Sequence, residues 1–477
     1  MVFVSSLAKG SLLIAAGTLY KILLTILIDK YLATHLGVED FGKFKYGITI
    51  VLLLSTLCTL GFNSSIIRSL AIQHSFDKRK ILISLSLVLT AIMTFLVVSL
   101  GLMAPSLFGV DSPFLYATVF FSLNTLYASI YSGMERPKLK VFINDIFGFS
   151  AYLLFIWVYF QFFDQSVHIA QIYLAYVVIV FVFNLLVTKS YYKKIKAIDL
   201  KRKLIKEYTS YTMPLFGVSV LIILSANLDK VVLNFFVSEE QLGIYYSVFN
   251  ISNLLPLILT ILVFMYLPRM SRFLQKGKKI KATLLSSYSS KWTMIMASVF
   301  FGAIFFYGKE IIGLLYTNDF VSGVKVLQIL AFGQWINVSL GFTGQNLLAL
   351  GDSKRQLYIR LFSFTIGLIL LYFGAKYYGN LGASISILAA LICSNLLQIV
   401  VLKKIHNFVG YRRQNFFTLG IVVLIGLFLS YLHKSTFFEN LHFVVSMSID
   451  LVIFVSVLFM VNVIGKKDLK VLKISEG

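Results

Sequence analysis

The sequence predicts an all-α polytopic membrane protein: two homologous six-helix bundles followed by two C-terminal transmembrane helices, about fourteen spans in all. Three observations carry this reading. The 477 residues are 58% hydrophobic and 13% charged, whereas a soluble domain is about half apolar and a quarter charged. Fourteen apolar windows are long enough to cross a hydrocarbon core of ~30 Å, which takes about 20 helical residues. The first apolar segment, 11–30, recurs at 211–230.

The windows fall at 11–28, 44–62, 81–103, 113–132, 141–163, 169–188, 211–236, 243–267, 290–307, 323–350, 357–378, 381–402, 416–433 and 441–465. Alternating strands of about 10 residues, which a membrane β-barrel would need, are absent. No cleavage site follows a short apolar core, so the first helix is expected to be retained. SLLIAAGTLYKILLTILIDK (11–30) and YTMPLFGVSVLIILSANLDK (211–230) match at Gly17/Gly217, Ile22/Ile222, Leu24/Leu224, Asp29/Asp229 and Lys30/Lys230. Thr25 and Ser225 exchange one hydroxyl for another. The segments that follow, GVEDFGKF (37–44) and SEEQLGIY (238–245), both place an acidic pair before a glycine and an aromatic, with Gly42 and Gly243 one residue out of step. The repeat divides the chain into a first bundle at 1–188, a basic cytoplasmic linker at 189–210, a second bundle at 211–402, and two added helices with a basic tail at 403–477. Parallel repeats of this kind are a transporter signature, because two similar bundles can rock about a site between them.

The net charge of +23 is unevenly placed. With the N-terminus inside, 33 of the 43 Lys and Arg fall on even-numbered connections and tails, and six fall on the opposite side. The positive-inside rule therefore puts both termini in the cytoplasm. Lys21, Lys230, Lys291 and Lys325 remain within or at the edges of helices. No nucleic-acid-reading module is present, and the basic residues do not gather on one face. The linker KSYYKKIKAIDLKRKLIKEYTS (189–210) reads either as an amphipathic helix on the anionic inner leaflet or as a solvated connection that fixes topology.

Catalytic and metal motifs are missing from the sequence. Cys58 and Cys393 sit in apolar helices without partner spacing, six histidines are scattered, and neither HExxH nor CxxC occurs. No metal site and no cofactor are expected. No GxxxxGK[ST] loop exists for ATP, and the outer connections are too short for an enzymatic domain, so the chain is not read as an enzyme.

Function is then expected inside the membrane. Gly17, Lys21, Thr25 and Asp29 recur every four residues and form one slowly drifting stripe. A lysine at mid-membrane costs about 2.5–3.5 kcal/mol on insertion scales and normally faces a bundle interior or a watery cavity; Lys21 is the main substrate-binding candidate, with bridging between helices or snorkelling as the plain structural reading. Its repeat counterpart is Leu221, so the cationic character belongs to the first half. Arg68, closing the second window behind Asn63, is a second cationic candidate, with lipid-phosphate contact as the alternative. Asp29, Asp229 and Lys230 are candidate gate residues, or simple helix-end ion pairs. Pro214 is placed in the first turn of the seventh helix, where its missing N–H is tolerated. Asn250 and Asn253 on the eighth helix, like Thr25 and Asn63, are candidate polar groups of a cavity, or helix-packing contacts.

KGSLLIAAGTLYKILLTILIDKYLATHLGVEDFGKFKYG, LDKVVLNFFVSEEQLGIYYSVFNISNLLPLIL and VLQILAFGQWINVSLGFTGQNLLALGDSKRQ together resemble the Wzx-type polysaccharide flippases of the multidrug/oligosaccharidyl-lipid/polysaccharide (MOP, MATE-like) exporter superfamily. YSGMERPKLK (131–140) answers LALGDSKRQ (348–356), a small-residue turn followed by basic residues. The resemblance runs essentially end to end. It implies a twelve-helix, two-bundle core that moves undecaprenyl-diphosphate-linked oligosaccharide from the cytoplasmic to the periplasmic leaflet of a bacterial inner membrane by alternating access, for O-antigen, capsule or exopolysaccharide synthesis. It also implies a cationic cavity, for which Lys21 is the best-placed residue, H+ or Na+ coupling as an option, and a polysaccharide polymerase and chain-length regulator as possible partners besides membrane lipid. A cation-coupled multidrug exporter of the same superfamily and a lipid II flippase are the alternative readings.

Overall fold

The computed structural model describes residues 2–72, 75–105, 108–163, 169–192, 202–434 and 441–464. Among them every regular element is a helix. Twelve helical stretches are long and apolar enough to span a membrane. Two of these, Ala16–Cys58 and Ser353–Lys404, hold two spans each, because the backbone leaves helical geometry at Gly37 (φ 72°) and Gly379 (φ 55°). Counting both halves gives the expected fourteen. Both breaks require a positive φ, which only glycine adopts without a steric penalty.

The first half consists of α1 (Val2–Cys58), α2 (Phe62–Ile72), α3 (Phe76–Met103), α4 (Ser112–Gly133), the single turn α5 (Pro137–Lys140), a π-helical stretch (Val141–Phe147), α6 (Gly148–Phe162), α7 (Ile169–Tyr192) and α8 (Arg202–Asn234). The second half continues with α9 (Glu239–Ser252), α10 (Leu257–Gln275), α11 (Lys279–Leu315), a 3₁₀ turn (Asn318–Gly323), α12 (Val324–Ser339), α13 (Thr343–Ala349), α14 (Ser353–Lys404), α15 (Arg413–Leu432) and α16 (Phe443–Met460).

Packing separates the chain into one unit of residues 1–243 with 315–317, and another of 244–314 with 318–477. In the first unit α4 lies against α1, α2, α3 and α7, and α8 lies along α1 and α2. Helix α8, which the repeat assigns to the second half, thus packs with the first. In the second unit α14 lies against α12 and α13, α10 meets α13, and α15 pairs with α16. Two apolar cores serve this unit. One gathers Tyr266, Met270, Phe342, Leu347 and Phe408; the other joins Ile295 of α11 to Val422, Ile425 and Leu429 of α15 and to Phe454 and Leu458 of α16.

Several boundaries differ from expectation. The second span ends at Cys58, because Leu60 and Gly61 (φ 48° and 79°) turn the chain before α2 begins, so Arg68 sits on a separate short helix rather than at the end of that span. The windows 243–267 and 323–350 are likewise broken, at 253–256 and at 340–342, where Gly341 has φ 68°. Pro214 is interior to α8, since the helix starts back at Arg202; its ring removes one backbone hydrogen bond from the middle of a helix. Of the linker 189–210, residues 193–201 lie outside the described residues, α7 extends to Tyr192 and α8 begins at Arg202.

The match between YSGMERPKLK and LALGDSKRQ has a geometric basis. After α4, Glu135 takes φ 55° while Arg136 N–H donates to Tyr131 O at 2.8 Å and Glu135 N–H to Ser132 O at 3.1 Å. After α13, Gly351 takes φ 81° while Asp352 N–H donates to Leu347 O and Gly351 N–H to Leu348 O, both at 3.0 Å. Each is the paired 6→1 and 5→2 bonding that ends a helix in a left-handed residue. Asp352 then caps α14, accepting from the Arg355 backbone N–H and, at 2.6 Å each, pairing with the Arg355 guanidinium and His406 Nε2. Burial pushes its carboxyl up, but these donors outweigh burial and hold it below the usual carboxylate range.

Candidate functional site

Lys21 stands on α1 between the helix start and the Gly37 break. Gly17, one turn earlier, lets the π-helical stretch come close: a Cβ there would overlap the Val141 side chain. That approach brings Phe149 and Asp145 to Lys21. The ammonium sits 4.9 Å from the centroid of the Phe149 ring, within the range of a cation–π contact. Asp145, from the π-helical stretch, attracts it electrostatically, and Lys140 opposes it. Among the described residues Lys21 makes no salt bridge, and its side chain is exposed. A π-helical insertion within an α-helix is a common feature of functional sites. The other stripe residues are engaged locally. Thr25 Oγ1 donates to Lys21 O at 2.8 Å, and Tyr20 and Ser150 hydroxyls bond at 2.8 Å across the helix pair.

The aspartate of each Asp-Lys motif is buried in an ion pair, but the two are wired differently. Asp29, 3% exposed, takes Lys45 from beyond the Gly37 break, at 2.7 Å and 2.9 Å to its two carboxylate oxygens, while Lys30 is exposed. Asp229 takes its own neighbour Lys230, at 3.0 Å and 3.1 Å, and Lys230 also donates to Ala226 O at 3.1 Å. The turns after these motifs meet each other. A Cβ on Gly42 would overlap the Glu239 carbonyl, and a Cβ on Gly243 would overlap the Val38 carbonyl. Lys43 bridges the same contact, at 2.8 Å from both Glu39 and Glu239.

Arg68 and Asn63 lie on α2, against α8. The Arg68 guanidinium is 4.5 Å from the centre of the Tyr211 ring. Close packing is permitted by Gly61, where a Cβ would come within 2.6 Å of Phe216 N. Nearby, Ser65, Ser86, Tyr208 and Thr212 share a buried hydroxyl network, with Ser86 and Tyr208 at 2.8 Å. Asn63 donates to Thr59 Oγ1 at 3.3 Å, and its Oδ1 is buried without a hydrogen bond. In the second unit Asn253 accepts from Gln334 at 3.5 Å and Asn250 is half-buried. A chain of amides continues from there: Asn395 donates to Asn337, and Thr343 donates to Asn395 and Gln398.

The structure thus groups Lys21 with Asp145 and Phe149, Asp29 with Lys45, and Arg68 with Tyr211. The sequence announces none of these neighbours. In it Lys45 counts only as a topology charge. Asp145 is visible as one of few acids inside a span, but nothing in a linear pattern signals the π-helical turn that aims it.

Helices throughout the described residues, with fourteen apolar spans among them, define a multi-pass membrane protein. Residues 7–274 match the family model described as polysaccharide biosynthesis protein, and the chain belongs to that family. A comparison with curated proteins finds no match. The lipid II flippase MurJ, in an inward closed conformation, is similar with a TM-score of 0.73 at 13% identity, over 94% of this chain and 98% of that one. An inward-facing multidrug resistance MATE family transporter of the MOP superfamily gives 0.61 at 15%, over 79% and 92%. A MOP superfamily transporter from Pyrococcus furiosus, described by a binding pocket of reverse polarity, gives 0.56 at 14%, over 83% and 93%. The fold is that of the MOP superfamily.

Proposed function

We propose that this protein flips a polyprenyl-diphosphate-linked oligosaccharide, of the undecaprenyl type, from the cytoplasmic to the periplasmic leaflet of a bacterial inner membrane, for surface polysaccharide synthesis. Lys21 is the observation that carries the reading: an exposed cation inside a membrane helix, flanked by an aromatic face and a single carboxylate, suits an anionic diphosphate head. The head is too polar to cross hydrocarbon unaided, whereas the polyprenyl tail prefers lipid. A protein that shelters the head and leaves the tail outside lowers the barrier without chemistry. Arg68 is a second anion contact, and Asn63, Asn250 and Asn253 offer amides to sugar hydroxyls. Asp29 and the Asp229–Lys230 pair fix the helices that must move. Coupling to a proton or sodium gradient, and supply to a polymerase with its chain-length regulator, belong to the same proposal.

Lipid II is the second reading, favoured by the likeness to the lipid II flippase MurJ over 94% of this chain. The family match to polysaccharide biosynthesis supports the first reading. Depletion of the protein in its host tests both. Lipid-linked oligosaccharide should accumulate on the cytoplasmic face, read with a glycan-specific probe on right-side-out and inverted vesicles, and wild type should relieve it. Lys21→Ala at equal abundance is expected to fail in that relief. Full relief by Lys21→Ala would remove the central-cation mechanism, and build-up of lipid II instead would select the second reading.

A further inference from the structure

Three ionisable side chains converge where the last two helices meet the kink of α11, apart from the residues of the candidate site. Tyr307 is itself the kink, with φ −117° and ψ 24° inside an otherwise continuous helix. Its hydroxyl donates to Asp450 Oδ2 of α16 at 2.7 Å. His433, the C-cap of α15, places Nε2 2.8 Å from the same oxygen and 3.3 Å from the Tyr307 hydroxyl. Asp450 is 7% exposed, and its Oδ1 is buried with no hydrogen-bond partner among the described residues. The Phe306 ring lies parallel to the imidazole, with centroids 4.7 Å apart and planes 10° from parallel.

With Asp450 ionised and His433 neutral, this cluster carries one negative charge among the apolar residues that join α11, α15 and α16, and one carboxylate oxygen goes unsatisfied. An uncompensated buried charge is costly, and one further proton neutralises the group. A charged imidazole here would face the C-terminal end of α15 and the parallel Phe306 ring. The His433 side chain is 20% exposed, which leaves a route for exchange with water. Near the cluster, Lys309 and Glu310 on α11, Lys325 on α12 and Lys434 beside His433 are all exposed, Glu310 acting on Tyr307 only at a distance. Lys279, Lys281 and the buried Lys291 lie in the N-terminal part of α11, and Arg413 opens α15 at the end opposite His433. Within α16 Asp450 is the sole ionisable group, and His442 caps its start by accepting from Val444 N–H.

We propose that Tyr307, His433 and Asp450 form a proton-binding site that clamps the C-terminal helix pair to the kink of α11. Binding one proton turns the lone carboxylate into a carboxylate–imidazolium pair and tightens the clamp. Loss of the proton weakens it and frees α15 and α16 to shift against α11. By the placement of positive charge, the connection after His433 faces away from the cytoplasm, so the site reads the acidity of the outer aqueous phase. The clamp would act in the same way whatever the protein transports.

The test uses the full chain in detergent, in a Trp157→Phe background, so that emission comes from Trp292 and Trp335, which both pack against the core joining these helices. Emission and melting temperature are followed from pH 5 to pH 8, the interval in which an imidazole changes charge. The wild-type protein is expected to show a single-proton transition within this interval, with the clamp tighter on its acid side. His433→Gln keeps a donor toward Asp450 but cannot change charge, and should lose most of the transition while remaining folded. Asp450→Asn should flatten it as well, and if that variant fails to fold, His433→Gln decides alone. A His433→Gln profile parallel to wild type, or a flat wild-type profile, would overturn the proposal and leave a purely structural contact.

Discussion

The two copies of the repeated segment share a motif and differ in what surrounds it. In the first copy Asp29 reaches across the Gly37 break to Lys45, and in the second Asp229 uses its neighbour Lys230. The reason is visible in the sequence once the structure points to it. The positions answering Lys45 are Tyr245 and Tyr246, so the second copy has no cation on the following helix. The glycines diverge too. Gly17 is covered by Val141, whereas nothing lies within 4 Å of a Cβ placed on Gly217. Thr25 and Ser225 are the shared part: each hydroxyl bonds the carbonyl four residues back, at 2.8 Å and 2.7 Å. The two segments thus share their local backbone bonding and differ in their contacts across helices, and only the first carries a cation at the position of Lys21.

The largest test of this contrast breaks the cross-helix pair. Lys45→Met leaves Asp29 buried without its lysine, and removing one partner of a buried ion pair usually costs about 3–5 kcal/mol. A sharp fall in the melting temperature of the detergent-solubilised protein is expected, with much of it restored by the double variant Asp29→Asn, Lys45→Met. Equal damage from the single and double variants would mean that Lys45 matters for something other than Asp29.

Next in size is the glycine pair. Gly17→Ala should destabilise by roughly 1–3 kcal/mol, the range for overpacking, and Gly17→Ala with Val141→Ala should recover most of the loss. Gly217→Ala should do the opposite, gaining up to about 1 kcal/mol because alanine is the better helix former at an open position. The same sign at both sites, in the same melting assay, would erase the distinction between the copies.

Smallest is the exposed bridge over the Gly42–Gly243 contact. Lys43 and Glu239 are about half-exposed, and exposed pairs contribute little and are screened by salt. Glu239→Gln should lower the melting temperature slightly in dilute buffer and not at all in high salt. A large, salt-independent loss would mean that the ion pair, rather than the glycine backbone contact, holds the two turns together.

Much of the fold is legible in the sequence because membrane burial writes itself into composition. A span must be apolar along its length, so hydropathy brackets separate spans on either side of Gly37 and of Gly379, even though the chain stays helical up to both breaks and beyond them. Turns inside apolar sequence escape this reading. The window 44–62 runs past the true end at Cys58, and 243–267 and 323–350 run across breaks of their own, because a turn such as Leu60-Gly61 leaves hydropathy unchanged. Of the candidate site, the residue types are legible and their partners are not. Lys21 stands out as a charge in an apolar run, but its neighbours Asp145 and Phe149 lie more than a hundred residues away, and only the π-helical stretch turns them toward it.

By itself, then, the sequence determined that the chain is helical and apolar enough to cross a membrane many times, and roughly where its spans lie. Those properties follow from the solvent: hydrocarbon rejects polar backbone and charge, so each span has to declare itself locally. Only the tertiary structure decided that Asp29 belongs to Lys45, that Arg68 stacks on Tyr211, that α8 packs on α1 and α2 although the repeat counts it with the second half, and that Tyr307, His433 and Asp450 meet at one oxygen. Such pairings depend on helix rotation and close approach, where one glycine or one kink redirects a whole face, and sequence spacing carries no record of which distant helix will be there to receive it.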